Sequence, residues 1–135
     1  MNKKLTKKGF TLVEIIVVLV ILAILAAAAI PTMLGFVEDA RGKTQIANAR
    51  AAYVAAQTLA TEKYAVTAGS SSEKDAAAVA AVTVSKVSEL TGIDSSEITS
   101  VTPTVSSGKV TRLIYETAEY TITINVGGDA VIVKK

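Results

Sequence analysis

The sequence predicts an α+β fold: a long N-terminal helix, apolar in its first half and amphipathic in its second, packed against a small antiparallel sheet of three to four strands. Three observations carry this. From Phe10 to Leu34 the chain is an apolar run with one ionisable residue in it, Glu14. From Phe36 to about Tyr64 it becomes charged and alanine-rich, with apolar residues recurring at spacings of three and four. In the last third, Tyr120, Ile122, Ile124 and Val126 alternate with polar neighbours, the period of a half-buried strand.

Composition narrows the function. Of 14 Lys and Arg, four (Lys3, Lys4, Lys7 and Lys8) precede Gly9, whereas all 12 Asp and Glu follow it. Beyond Gly9 the chain is therefore slightly acidic, and its basic overall balance gives no reason to expect nucleic-acid binding. There is no cysteine for a disulfide or a thiol nucleophile, and no histidine, the commonest general base and metal ligand. No enzyme chemistry, cofactor or metal is expected.

The apolar run is long enough to cross a bilayer, which takes about 20 residues. Basic residues before it hold the N-terminus in the cytoplasm and send the rest outward. Three readings fit such a start: a secretory signal peptide cut near the alanines at 27–29, a plain membrane anchor, or a short basic leader cut just after Gly9. Glu14 separates them. A carboxylate inside a hydrophobic span is unfavourable, and a signal peptide or plain anchor gains nothing from it.

The stretch Gly9-Phe10-Thr11-Leu12-Val13-Glu14, preceded by lysines and followed by an apolar helix with Pro31 near its far end, resembles the start of type IV pilins and their relatives. The resemblance implies cleavage between Gly9 and Phe10, with Gly9 and Phe10 as the processing residues. It also implies methylation of the new Phe10 amine, and assembly through Phe10, Glu14 and Pro31. Physical chemistry supplies reasons. Gly9 lets a protease approach the backbone. The freed α-amine, with a pKa of about 7.7–8.0, is largely cationic at neutral pH. An ammonium and a carboxylate in hydrocarbon each need a counterion, so Glu14 is expected to neutralise the Phe10 amine of a neighbouring subunit. Pro31 reads either as a kink where the chain leaves the membrane or as a point of local unwinding on assembly.

Residues 1–9 are thus read as a leader, 10–36 as a transmembrane and filament-core helix, and 37–135 as a head that includes an amphipathic helix over 37–66. On that helix Ile46, Ala49, Tyr53, Ala56 and Ala60 form one stripe. Val37, Ala40, Ala47, Ala51 and Val54 form a second. One suits the chain's own head, the other neighbouring helices. Gly42 is a possible bend.

The head continues with a polar loop at 67–72 and a single short helix over 73–90, ended by Gly92. A turn follows, capped by Asp94 and Glu97 and read as solvated acids rather than a cation site. A β-meander then spans 101–134. Its strands are expected at 101–105, with Pro103 confining that one to an edge, at 110–116, at 120–126 and at 131–133. The last two join through Gly127-Gly128-Asp129. The lack of cysteine resembles the disulfide-poor pilins common in Gram-positive bacteria, and the Gly127–Asp129 hairpin is the device expected to hold the C-terminal region.

The resemblance implies a major pilin that polymerises into a helical type IV pilus. Its expected partners are further copies of itself, prepilin peptidase, an inner-membrane assembly platform, and the membrane before assembly. Its expected location is the cytoplasmic membrane first, the cell surface afterwards. A major pseudopilin of a type II secretion or competence system shares the same N-terminal chemistry. A secreted or membrane-anchored binding domain is the reading from a different class.

Overall fold

The computed structural model describes residues 9–135; the leader lysines Lys3, Lys4, Lys7 and Lys8 lie outside the described residues. Helix α1 spans Leu12–Val66 and continues through both Pro31 and Gly42. The chain divides into two units, residues 1–39 and 40–135, with the boundary inside α1.

In the first unit every described side chain is exposed. This part of α1 is long and apolar enough to cross a membrane, and none of its most apolar window is buried. Thr32 Oγ1 donates to Ala29 O at 2.8 Å, beside the place where Pro31 lacks an N–H.

The second unit is built on a four-stranded antiparallel sheet in the order β1-β2-β3-β4: Ser100–Ser106, Lys109–Glu116, Tyr120–Asn125 and Ala130–Lys134. Pro103 lies on β1, an edge strand, as its missing N–H requires. Leu113, Tyr115, Ile122 and Ile124 are fully or almost fully buried, in one cluster with Ala49, Ala52, Ala56 and Ala60 of α1. Alanines on the helix leave room for the large side chains from the sheet. Tyr53 Oη donates to Val110 O at 2.6 Å and ties α1 to β2. The first stripe of the amphipathic half therefore turns inward, with Ile46 and Tyr53 half-buried at its margin. The second stripe, Val37 to Val54, is exposed.

The single helix expected over 73–90 is two. Helix α2 spans Ser71–Ala81 and α3 spans Val84–Thr91. Val82 and Thr83 between them are extended, at φ −86° and −116°. The cause is local. Val82 is drawn into the core, and Thr83 Oγ1 accepts the N–H of Lys86 as an N-cap. Helix α2 also begins earlier, inside the expected loop. Ser70 and Glu73 form a reciprocal capping box there, with Ser70 N to Glu73 Oε2 at 2.8 Å and Glu73 N to Ser70 Oγ at 3.4 Å. After Gly92, in the left-handed region at φ 74°, Asp94 caps a 3-10 turn over Ser95–Glu97 by accepting from Ser96 N.

The Gly127–Gly128 hairpin forms as expected, with both glycines at positive φ. It is not alone in holding the C-terminal region. Lys135 Nζ donates to Thr117 O at 3.0 Å and lies 3.5 Å from Glu116 Oε1, while its backbone N–H donates to Glu119 O.

Candidate functional site

Gly9 and Phe10 stand before the first turn of α1, both exposed, and among the described residues, its chain neighbours aside, nothing lies within 4 Å of where a Cβ on Gly9 would be. Thr11 is next, and it is the residue that the reading of the sequence passed over. Its backbone N–H and its hydroxyl both donate to Glu14 Oε2, at 2.8 and 3.1 Å. Glu14 N in turn donates to Thr11 Oγ1 at 3.3 Å, and Ile15 N reaches Thr11 O at 3.3 Å.

This is a second capping box, with the same partners in the same order as Ser70 and Glu73. The signal was in the sequence, since Thr-x-x-Glu before an apolar run is a helix start. Glu14 therefore has a use within its own chain: it satisfies donors that the first helical turn leaves unpaired. Its position in that turn also favours its charge through the helix dipole.

The structure brings Phe10 and Glu14 to the same end of α1. It does not bring Pro31 to them. Pro31 is farther along the helix, roughly 25 Å from Glu14 at about 1.5 Å per residue. No group of three or more Asp and Glu among the described residues is arranged to hold a metal ion.

The family described as the prokaryotic N-terminal methylation motif matches residues 4–30. The match takes in Lys4, Lys7 and Lys8, the Gly9–Phe10 bond, Glu14 and most of the apolar run. It covers the N-terminal segment alone and supports a type IV pilin-like or pseudopilin-like prepilin start. The long N-terminal helix with a four-stranded antiparallel sheet is consistent with the type IV pilin fold. Comparisons with curated proteins and with solved structures return no match.

Proposed function

We propose that the chain is the major subunit of a type IV pilus, cut between Gly9 and Phe10 and polymerised through α1. The observation that supports this best is the contrast within one helix. From residue 49 onward α1 supplies five buried alanines to its own head, whereas from Leu12 to residue 40 none of its side chains is buried. So much apolar surface needs a solvent other than water. The membrane supplies it before assembly, and the helices of other copies supply it in a filament.

In this reading Gly9 and Phe10 are the substrate of prepilin peptidase. The new Phe10 ammonium lies one residue before the Thr11 N–H that Glu14 accepts. The Glu14 carboxylate, already oriented by Thr11, receives the Phe10 ammonium of a neighbouring copy and sets the axial register. Pro31 is the point where α1 loses a backbone donor and yields most easily as subunits leave the bilayer for the filament. The assembly platform that extracts the subunit is a partner, and the cell surface is the final location.

Two variants of one residue test this. Glutamine at position 14 keeps a capping acceptor but no charge, whereas alanine keeps neither. Both Glu14→Gln and Glu14→Ala are expected to insert and to be cut, giving a mature N-terminus at Phe10 by mass spectrometry. Both are expected to be absent from sheared filaments. Wild-type incorporation of Glu14→Gln would leave Glu14 with a capping role alone and remove the charge pairing. A mature terminus near Ile30 would mean an ordinary signal peptide.

A further inference from the structure

We draw no further inference here: the strongest candidate, the open groove between α1 and the β3–β4 hairpin lined by Arg50, Tyr53, Val54, Ile124, Gly127 and Gly128, carries nothing, because nothing in the structure shows what covers it.

Discussion

Asp75 grips the tip of the first hairpin with both carboxylate oxygens: Oδ2 accepts from Ser107 N at 3.0 Å and Oδ1 from Gly108 N at 2.9 Å. The turn presents these N–H groups side by side because both residues are at positive φ, Ser107 at 52° and Gly108 at 74°. From α1, Gln57 Nε2 donates to Gly108 O, and Gln57 Oε1 accepts from Val110 N at 2.8 Å. Tyr64 covers the glycine so closely that a Cβ there would lie 2.9 Å from the ring. Without a disulfide, these contacts bind the hairpin to two helices. Asp75→Ala leaves two backbone donors, one exposed and one part-buried, without their charged acceptor, and is expected to destabilise the head by about 1–2 kcal/mol. Gly108→Ala meets both the ring and an unfavourable backbone region and is expected to cost at least about 1–2 kcal/mol. Urea unfolding followed by circular dichroism measures both. Unchanged midpoints would show that the turn stands without its clamp.

At the scale of elements, the strands were the legible part. Alternation of Tyr120, Ile122, Ile124 and Val126 announced an inner face; the first three are buried, whereas Val126 lies past the end of β3 and is 62% exposed. Helix 73–90 misled because no glycine or proline marks its break; a β-branched run, Val82-Thr83-Val84, makes it instead. The boxes at Thr11 and Ser70 were readable from spacing alone and were missed, whereas Asp75 and its turn lie too far apart in sequence for any pattern to join them. The same distance hides the tie at the other end of the sheet. Glu116 accepts from Ser100 of β1 at 2.6 Å and from Thr121 of β3 at 3.3 Å, with Lys135 beside it. The Ser100 hydrogen bond first, and then the Lys135 charge, hold its carboxyl below the usual range. Glu73 and Asp94 are lowered too, by the N–H groups of Ser70 and Ser96. A carboxyl lowered on folding stabilises the native state above its unfolded pKa, about 4.3 for Glu, and that gain is lost as pH falls through the folded value. The head is therefore expected to lose thermal stability below about pH 4.3, and Glu116→Gln to lose less over the same range. Melting temperatures at pH 6, 4 and 3 check this, and identical slopes for the two chains would remove Glu116 from the account.

For the whole molecule, the division inside α1 separates a stretch with no buried described side chain from one that closes a core. Every buried residue of α1 lies at Ala49 or later, and the sheet, both short helices and the Asp75 clamp all fall within residues 40–135. No described side chain before residue 40 is buried, and the core cluster lies wholly within residues 40–135. A chain starting at Ala40 is expected to be soluble without detergent and to unfold cooperatively, with the full-length chain's melting temperature in detergent to within about 5 °C, the shift that roughly 1 kcal/mol produces in a domain of this size. The same fragment lacks Phe10, Glu14 and the exposed apolar surface, and is expected to form no filaments. Sedimentation and calorimetry test the first part, electron microscopy the second. A fragment that aggregates, or that melts far below the full chain, would show that the apolar half of α1 supports the head as well as anchoring it.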